Sequence, residues 1–540
     1  MNHLYYGDNL HVLRDSIAAE SVDLIYLDPP FNSKRDYNLL FKSPKGHQSE
    51  AQIEAFKDSW SWGPQAEKEL DELTRQKNTD VTQMMNALIT FLGRNDMTAY
   101  LVMMSTRLLE LHRVLKPTGS VYLHCDPVAS HYLKLVLDAV FGKLNYKAEI
   151  VWKRHNARST EENWPHIHDT IFFYTKTAMF SFKPTRVKAD KAKMPHTLIT
   201  GEDGKKYQTY ELTGAGVTKD GATGKPWRGF NPTPMGRHWG NSPAKMDEWD
   251  EEGLIHWPKD GGFPRRKDAE PFDPESRMII VGDSWTDIDR LNQTAKERLG
   301  YETQKPLALL ERIIEASSNE GDVILDPFCG CGTAVHAAQK LRRKWIGIDI
   351  TCLAIALIEK RLKDAFGARC KFEVHGTPKD LESARDLAAR DKYQFQWWAV
   401  SLVEAQPFQG KKKGADTGID GLKFFRDLDK KEVRKIIVSV KGGENVGPAM
   451  VKDLIATIAR DKAEIGIFLT LAEPTKAMST EAVAAGFYES ASGKKYPRLQ
   501  ILTIESLLAG TAHPEHPDYE PDLNFKKAKA EASGEQAELL

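Results

Sequence analysis

The stretch Asp322-Val323-Ile324-Leu325-Asp326-Pro327-Phe328-Cys329-Gly330-Cys331-Gly332-Thr333 decides the fold of this chain. Its first five residues predict a buried parallel strand, and the residues from Ala334 to Arg342 predict a helix. Gly330 and Gly332 lie in the turn between them, where the missing Cβ lets a ligand approach the backbone. The stretch therefore predicts a strand, a glycine-rich turn and a helix at a ligand site.

A second predicted strand, Lys344-Trp345-Ile346-Gly347-Ile348-Asp349, follows and ends in an acid. The interval from Asp326 to Asp349 is 23 residues, which fits a βαβ unit whose last carboxylate accepts hydrogen bonds from ribose hydroxyls. The turn lacks the third glycine of the dinucleotide fingerprint and has no Walker lysine. An ordinary tight turn is the alternative, but the strand before it and the acid after it favour an adenosine-bearing cofactor.

Another short motif, Asp28-Pro29-Pro30-Phe31, ends the apolar run Val22-Asp23-Leu24-Ile25-Tyr26-Leu27. Two prolines stiffen the turn and bias Asp28 to extended geometry at the carboxyl end of a strand, where open α/β sheets bind ligands. The carboxylate and the Pro29 carbonyl can each accept a hydrogen bond from an exocyclic amine, and Phe31 can stack on its ring. This arrangement would orient the amine toward an electrophilic methyl group. A surface turn is the alternative, and the apolar strand argues against it.

Several further blocks accompany these two motifs in a fixed order between Tyr6 and about position 380. They are Tyr6-Gly7-Asp8-Asn9-Leu10, Arg113 to Asp126, Glu149 to Arg154, His168 to Lys176 and Thr303-Gln304-Lys305-Pro306. Together the blocks resemble the β-class DNA amino-methyltransferases, in which the amino-group motif comes first, target recognition lies in the middle and the cofactor motif comes last. The resemblance implies a Rossmann-like α/β methyltransferase with a circularly permuted motif order.

The resemblance also assigns roles to individual residues. Asp28, Pro29, Pro30 and Phe31 are the expected catalytic residues, and Asp at the first of these positions favours N6-adenine, since cytosine enzymes usually carry Ser there. The expected binding residues for S-adenosylmethionine are Asp8 (at its adenine edge), Thr303, Gln304, Lys305 and Pro306 (at its methionine end), and Asp326, Pro327, Phe328, Gly330, Gly332, Thr333 and Asp349. Because the target amine is out of reach inside duplex DNA, base flipping is implied.

Length and composition fit a soluble protein with more than one domain. The chain has 540 residues, of which 41% are hydrophobic and 28% charged, and it has no apolar run long enough to span a membrane. The N-terminus lacks the pattern of a secretory signal. The five cysteines, Cys125, Cys329, Cys331, Cys352 and Cys370, form no C-x-x-C pair. We therefore expect a cytoplasmic protein with no membrane partner and no zinc site.

The net charge of −1 does not indicate nucleic-acid binding, but the charge is unevenly distributed. Between about 150 and 290, clusters such as Lys153-Arg154, Lys225-Pro226-Trp227-Arg228 and Arg265-Arg266-Lys267 combine cations with aromatic rings in a segment rich in Gly and Pro. Cations neutralise phosphates and aromatic rings stack on bases. We interpret 150–290 as an inserted target-recognition region that binds double-stranded DNA.

A different pattern begins near residue 390. Tyr393 to Glu404 predicts a helix that carries an acid, Asp420 follows in a turn, and Lys435 to Gly442 predicts a strand that contains Lys441. An Asp followed by a strand that ends in x-x-Lys resembles the PD-(D/E)xK nucleases, especially the Mrr-like restriction branch. The resemblance implies a site at Glu404, Asp420, Ser439 and Lys441, with Asp416 nearby, in which Asp420 would bind Mg²⁺.

One position departs from that pattern. Ser439, two residues before Lys441, stands where Glu or Gln is usual, and a hydroxyl is a poor substitute for an anionic Mg²⁺ ligand. Three alternatives therefore stay open: an active nuclease, a degenerate nuclease fold that binds DNA, or an unrelated α/β module.

The sequence as a whole predicts a methyltransferase domain over 1–385, a smaller α/β nuclease-like domain over 390–511 and a disordered tail over 512–540. The predicted function is N6-adenine methylation of DNA at a specific site, within restriction-modification, together with a restriction subunit or by self-association. The alternatives are N4-cytosine methylation, a single-chain restriction enzyme that methylates and cleaves, or a DNA-binding module that has lost its catalysis. Methylation of protein amides fits the motif order less well.

Overall fold

The computed structural model describes residues 1–30, 36–42, 48–57, 61–75, 78–156, 164–188, 197–273, 278–292, 295, 297–299, 301, 303–408, 418–428, 432–517, 519, 524 and 527–531, with backbone alone over 36–42 and 48–57. These residues form two compact units. One unit combines 1–183 with 283–540, and the other spans 184–282. None of the helices described is both long and apolar enough to cross a bilayer.

Seven strands and five helices are described from Met1 to Lys183, the first segment of the larger unit. The strands are β1 (Asn2–Tyr6), β2 (Val22–Leu27), β3 (Asp36–Lys42), β4 (Gln48–Lys57), β5 (Leu115–Cys125), β6 (Tyr146–Lys153) and β7 (His168–Thr175). The helices are α1 (Asn9–Ser16), α2 (Pro64–Thr74), α3 (Thr79–Leu92), α4 (Asp96–Val114) and α5 (Pro127–Phe141). The predicted strand over 22–27 is confirmed, because its residues Val22, Leu24, Ile25 and Leu27 are all fully buried.

The second unit, 184–282, is built mainly from short strands. They are β8 (Arg186–Lys188), β9 (Leu198–Thr200), β10 (Lys206–Glu211), β11 (Thr213–Ala215), β12 (Arg237–Trp239), β13 (Ile255–His256), β14 (Arg265–Lys267) and β15 (Met278–Ile280), and the α-helix among the described residues of this unit is α6 (Pro243–Glu251). Strands β13, β14, β10 and β9 form one antiparallel sheet. A small core of Leu212, Trp227, Trp239, Met246 and Ile255 stabilises the unit.

The rest of the chain supplies eleven strands and eight helices among its described residues. The strands are β16 (Ser284–Trp285), β17 (Val323–Asp326), β18 (Lys344–Asp349), β19 (Phe372–His375), β20 (Gln406–Pro407), β21 (Gly421–Arg426), β22 (Val433–Lys441), β23 (Ile465–Thr470), β24 (Phe487–Glu489), β25 (Lys495–Pro497) and β26 (Leu499–Thr503). The helices are α7 (Leu307–Ser317), α8 (Thr333–Lys340), α9 (Cys352–Phe366), α10 (Leu381–Arg390), α11 (Lys392–Leu402), α12 (Pro448–Arg460), α13 (Lys476–Ala484) and α14 (Ile504–Leu508).

A nine-stranded sheet forms the first half of the larger unit, in the order β16-β6-β7-β5-β2-β17-β18-β1-β19. The six strands from β5 to β19 run parallel, and β7 is antiparallel to both β5 and β6. One core joins this sheet to α1, α3, α4 and α5, while α8 packs against β17 and β18. The predicted Rossmann-like α/β fold with permuted motif order is therefore confirmed.

A separate five-stranded sheet, β20-β21-β22-β23-β26, forms the smaller α/β fold that the sequence predicted. Helix α11 contacts β22, and helix α12 packs against β23. One core of this region also includes Cys352 at the start of α9, and the Cys352 amide donates a hydrogen bond to Gln394 at 3.0 Å.

Some residues of the segment 512–540 are described and contact other parts of the larger unit, and the disorder of this segment stays a prediction. The Asn524 side chain accepts a hydrogen bond from the Phe424 amide at 2.5 Å and donates one to the Phe424 carbonyl at 3.0 Å. Glu531 lies 3.2 Å from the His336 imidazole. The Lys- and Glu-rich composition indicated a solvated tail, but single polar side chains satisfy backbone groups that a strand edge leaves exposed.

Candidate functional site

The two motifs meet at one edge of the nine-stranded sheet. Strands β2 and β17 are neighbours, with Leu24 opposite Ile324 and Ile25 opposite Leu325. Asp28 follows the first strand and Asp326 ends the second, so both carboxylates lie at the carboxyl ends of parallel strands, where such sheets bind ligands. A cavity of about 210 Å³ opens there.

Most of the residues that the sequence assigned to the site line this cavity. They are Asp8, Asp28, Pro29, Pro30, Thr303, Gln304, Lys305, Asp326, Pro327, Phe328, Gly330, Thr333 and Asp349. Residues from distant parts of the sequence therefore contribute to one site.

Three predicted residues lie elsewhere or outside the described chain. Phe31 is among the residues that the structure does not describe. Pro306 precedes the first turn of α7, and it is not among the described residues that line the cavity. Gly332 is also absent from that lining, and a Cβ at its left-handed φ of +73° would lie 2.7 Å from Ile358. Gly332 thus permits close packing of α8 against α9, and its predicted contact with a cofactor stays a prediction.

The glycine turn is fixed by a carboxylate at the end of the next strand. Gly330 has a φ of +51°, and its amide donates a hydrogen bond to Asp349 Oδ2 at 2.8 Å. Asp349 Oδ1 accepts two more at 2.9 Å, from the Thr351 amide and the Thr351 hydroxyl. Since a carboxylate offers about four lone-pair sites, roughly one is left for a ligand hydroxyl. Burial raises the pKa of Asp349 to about 6, although these hydrogen bonds lower it.

Asp326 is the most deeply buried carboxyl group of the site. Only 5% of the residue is exposed, and its Oδ1 accepts a hydrogen bond from the Phe328 amide at 3.0 Å. Burial raises the pKa of Asp326 to about 8, and the negative charges of Asp28 and Asp349 add to the effect. The free protein therefore holds this group largely protonated at neutral pH, ready to ionise beside a cation.

A cation already faces the predicted catalytic carboxylate. The Lys305 ammonium group contacts Asp28 Oδ2, and the two side chains are 12% and 17% exposed. Lys305 belongs to the block that the resemblance assigned to the methionine end of the cofactor. The ion pair joins this block to the amino-group motif and holds the Asp28 side chain in one orientation.

Asp8 is held by the protein itself. Its Oδ1 accepts a hydrogen bond from the Leu10 amide at 2.8 Å and so caps α1, while Arg107 approaches its Oδ2 at 3.1 Å. Arg107 also donates to Asn9 Oδ1 at 2.7 Å and lies 3.6 Å from Glu69. The carboxylate therefore anchors one wall of the cavity, and its predicted contact with adenine stays a prediction.

Sequence reasoning missed several residues of the lining. They are Gly7, Asn9, Tyr26, Met103, Arg107, Tyr301, Leu310, Cys329, Cys331, Ala334, Ile350 and Thr351. Two of these residues stand out in the sequence. Arg107 is a cation within an otherwise apolar stretch of α4. Ile350 is an apolar residue directly after the acid that ends β18, and the structure leaves Ile350 54% exposed.

The lining fits the cofactor that the resemblance implies. The side chains of Phe328 and Ile350 offer apolar surface to a planar base, and Asp349 keeps an acceptor for a hydroxyl group. Gly330 leaves space that a side chain would fill, because a Cβ there would lie 3.2 Å from the Tyr301 ring. Asp28 and Asp326 supply carboxyl groups that suit a sulfonium or ammonium cation.

The C-terminal module brings only part of its predicted site together. Asp420 Oδ2 accepts hydrogen bonds from the Val440 amide at 2.6 Å and from the Ser439 hydroxyl at 3.4 Å. The side chain of Gln396, on α11, donates to Asp420 Oδ1 at 2.5 Å. Lys441 is two residues beyond Ser439 and so shares its face of β22.

Glu404 does not reach this cluster. Helix α11 ends at Leu402, Glu404 has a left-handed φ of +53°, and its side chain is 79% exposed and lies 3.8 Å from Lys423. The same helix presents Gln396 to Asp420 instead. Asp416 lies outside the described residues. Within the described chain, then, Asp420 is the only carboxylate of the cluster, which is a weak ligand set for Mg²⁺.

Two family models match the chain. The model described as DNA methylase matches residues 22–360. The model described as Restriction endonuclease matches residues 387–489.

Three curated proteins are similar to parts of this chain. Type II methyltransferase M.EcaI of Enterobacter cloacae is 33% identical over 49% of this chain and 57% of its own length. The Mod subunit of type III restriction-modification enzyme StyLTI of Salmonella typhimurium is 26% identical over 63% of this chain and 50% of its own length. DNA adenine methyltransferase YhdJ of Escherichia coli is 24% identical over 66% of this chain and 82% of its own length. The chain thus spans little more than half the length of the first two.

Proposed function

The chain belongs to the DNA methylase family, whose model it matches over residues 22–360, and from this premise we propose that it methylates an amino group of a DNA base. The observation that carries the proposal is the shared cavity. Asp28 of the amino-group motif and the Gly330–Asp349 turn of the cofactor motif line the same space, although they lie far apart in the sequence.

Each part of the cavity has a chemical task in this proposal. S-adenosylmethionine, when bound, supplies an electrophilic methyl group. Asp349 and the Gly330 turn would hold its adenosine end, and Asp326 would supply a carboxylate to its positive charge. Asp28, held by Lys305, accepts a hydrogen bond from the target amine and directs the nitrogen lone pair toward the methyl carbon. The Pro29 carbonyl is a second acceptor for this amine, and Phe31 is the proposed stacking ring.

The proposed target is the N6 amino group of adenine. Asp28 occupies the position where adenine enzymes of the family usually carry Asp, and one relative, YhdJ, bears the name DNA adenine methyltransferase. N4 of cytosine is the alternative, since both amines are exocyclic and attack by the same route.

Residues 150–290, which include the compact unit 184–282, are the proposed recognition region for double-stranded DNA. Within this unit, Lys245 lies 5.9 Å and Arg266 lies 4.5 Å from the half-buried Trp249 ring, so cations and a planar group share its surface. Such pairs can neutralise phosphates and stack on bases, and the reaction requires the target base to be flipped out of the duplex. The names of the relatives M.EcaI and StyLTI Mod support a place in restriction-modification, with a restriction subunit as partner.

Mass spectrometry of DNA digested after reaction tests the proposal directly. The wild type should yield N6-methyladenine, Asp28→Ala should yield none, and Asp15→Ala, an exposed acid on α1, should match the wild type. Single-molecule sequencing of DNA from expressing cells would then give the recognition site. N4-methylcytosine as the main product would overturn the proposed base, and an unmodified digest would overturn the function.

A second candidate function is Mg²⁺-dependent cleavage of DNA by the C-terminal module. Its support is the match of residues 387–489 to the Restriction endonuclease model and the approach of Asp420 to Ser439 on β22. If the module cleaves, plasmid nicking should require Mg²⁺ and should vanish in Asp420→Ala and Lys441→Ala. No cleavage of methylated or unmethylated plasmid would favour a DNA-binding role instead.

A further inference from the structure

A buried chain of hydrogen bonds leads from the cavity into the sheet. Tyr26, which lines the cavity, bonds through its hydroxyl to His124 Nδ1 at 2.9 Å. His124 Nε2 in turn lies 3.0 Å from Asp169 Oδ2. The three residues come from the neighbouring strands β2, β5 and β7, and they are 2%, 0% and 1% exposed. Polar groups this deep in a sheet are costly unless they are paired, and here each of the three side chains has at least one polar partner.

The charge on Asp169 sets the direction of these hydrogen bonds. Burial acts to raise the pKa of Asp169, but the hydrogen bond from His124 and the charges of Lys305 and Arg154 hold it below its usual value. Arg154 Nε lies 3.1 Å from Asp169 Oδ1. Since an ionised carboxylate can only accept, His124 donates from Nε2, and its Nδ1 is left to accept the proton of the Tyr26 hydroxyl.

Tyr26 itself keeps its proton in the resting protein. Burial raises the pKa of the phenol well above its usual value, and the negative charges of Asp28 and Asp169 raise it further. A neutral phenol that donates to an imidazole still has oxygen lone pairs with which to accept a proton. Tyr26 can therefore pass a proton on without ever becoming a phenolate.

The reaction of the proposed function leaves one proton to be removed. As the bond from the amine nitrogen to the methyl carbon forms and the bond from that carbon to sulfur breaks, the nitrogen gains a positive charge while it still holds both of its protons. Asp28 accepts a hydrogen bond from the amine, but its negative charge is paired with the Lys305 ammonium group at Oδ2, and protonation of the carboxylate would break that ion pair. Fast release of this proton therefore needs another proton acceptor at the cavity.

We propose that Tyr26 accepts this proton while its own hydroxyl proton passes to His124 Nδ1, with Asp169 as the group that orients His124 and balances its charge. The methylated amine then leaves neutral, and the imidazolium is paired with the Asp169 carboxylate. When the product has left and water enters the cavity, the proton returns through Tyr26 to solvent. Tyr26 is a catalytic residue in this scheme, and His124 and Asp169 are positioning residues.

The sheet offers a matched control for the tyrosine. Tyr122 lies opposite Tyr26 in the register of β2 and β5, it is equally buried, and its hydroxyl also makes one buried hydrogen bond, to Ser317 at 2.7 Å. That bond ends at a serine and not at a titratable ring. Tyr122→Phe therefore removes the same atom from the same kind of environment without touching the proton path.

The test measures single-turnover methyl transfer to DNA at saturating S-adenosylmethionine, with cofactor affinity and thermal unfolding recorded for each variant. Tyr26→Phe and His124→Gln should each slow transfer by about 100-fold, a usual contribution of general acid–base catalysis, while cofactor affinity stays within about twofold. Tyr122→Phe should transfer methyl groups at the wild-type rate. Glutamine keeps a hydrogen-bonding group beside Tyr26 but cannot take up a proton.

The pH profile separates proton transfer from a purely structural role. If the relay carries the proton, the pH dependence of the single-turnover rate should differ between the wild type and His124→Gln, because the amide cannot take up a proton. Cofactor saturation removes the contribution of binding. The other titratable or charged groups that act on this chain are Asp28 and Asp326, which act on Tyr26, and Arg154 and Lys305, which act on Asp169.

The outcomes distinguish this inference from the proposed function on which it rests. If the wild type methylates DNA but His124→Gln keeps its rate and pH profile, the relay is refuted and the methyltransferase stands. An equal loss in Tyr122→Phe and Tyr26→Phe would also refute the relay, since it would show a general effect of sheet stability. If the wild type transfers no methyl group to DNA, both ideas fall.

Discussion

Removal of the Asp28 carboxylate should stop methyl transfer and leave cofactor binding largely intact. The structure sharpens this expectation, because Asp28 and Lys305 form an ion pair that is nearly buried. Asp28→Ala takes away both the acceptor for the target amine and the partner of an ammonium group. The two effects have to be separated before the result can be interpreted.

The expected losses in rate, stability and cofactor affinity follow from these two roles of Asp28. Loss of one preorganised group that stabilises developing charge costs about 10²-fold or more in rate, or roughly 2.7 kcal/mol and above. Leaving Lys305 without its partner costs stability on the order of 1.5–3 kcal/mol, as for other hydrogen bonds to charged groups. The unpaired ammonium group also repels a cationic cofactor, so we expect its affinity to fall by no more than about tenfold, or roughly 1.4 kcal/mol.

A double-mutant cycle resolves the roles. Asp28→Asn, Lys305→Met and the double variant are compared in single-turnover rate with a labelled methyl group, in cofactor affinity by calorimetry and in thermal unfolding. We expect coupling of about 1–3 kcal/mol in stability, because the two side chains contact each other. Lys305→Met should slow transfer less than Asp28→Asn, since it disturbs only the orientation of the carboxylate.

Two results would refute this reasoning. Near-normal turnover of Asp28→Ala on cognate DNA would show that the amine binds elsewhere. Additive stability losses, with coupling within about 0.5 kcal/mol, would show that the ion pair does not hold Asp28 in place.

Three further predictions concern the cofactor site and the C-terminal module. Asp349→Ala should weaken S-adenosylmethionine binding by about 1–3 kcal/mol. Gly330→Val should weaken it more, because a β-branched side chain at a φ of +51° would press on the Tyr301 ring. Unchanged calorimetric affinity in both variants would exclude the site. Because the pKa of Asp326 is about 8, binding of the cationic cofactor should ionise this group and release a proton at pH 7. The affinity for the cofactor should therefore rise as the pH rises from about 6 to 8. Calorimetry in two buffers should show the proton release, and Asp326→Asn should lack it. Ser439→Glu should make thermal stability and plasmid nicking depend more strongly on Mg²⁺, since it adds an acid beside Asp420; an unchanged Mg²⁺ response would argue against a metal site there.

Local patterns carried most of what the sequence could predict. The strands over 22–27 and 344–349 lie at their predicted residues, and the predicted strand that ends at Asp326 begins one residue late, at Val323. Apolar runs bounded by Pro, Gly or an acid specify such strands without reference to the rest of the chain. The motif that follows each strand then takes its place at the carboxyl end of the sheet.

The sequence could not predict contacts between residues that lie far apart along the chain. Lys305 meets Asp28 across 277 positions, and Arg107 meets Asp8 across 99. Neither pairing leaves a local trace, because each depends on which strands become neighbours. The Tyr26–His124–Asp169 chain is similar: its members looked like ordinary strand residues of three separate blocks.

The position of Glu404 has a local cause. The helical pattern appeared to continue through this acid, but α11 ends at Leu402, and the left-handed turn at Glu404 directs the chain into β20. The acid then lies beyond the helix, beside Lys423, while Gln396, just over two turns earlier, donates a hydrogen bond to Asp420. A shift of two residues in a helix end therefore changes which side chain serves a site.

The permuted order of the motifs has no consequence for the cavity, and the sheet explains why. A parallel strand contributes to a ligand site only through the residues at its carboxyl end, and its neighbours are set by pairing and not by order along the chain. Strand β2 lies beside β17 although the two strands are far apart in the sequence, so Asp28 reaches the same edge as Asp326. The Lys305–Asp28 ion pair then joins the segment before β17 to the turn after β2. Any chain order that preserves these neighbours would build the same site.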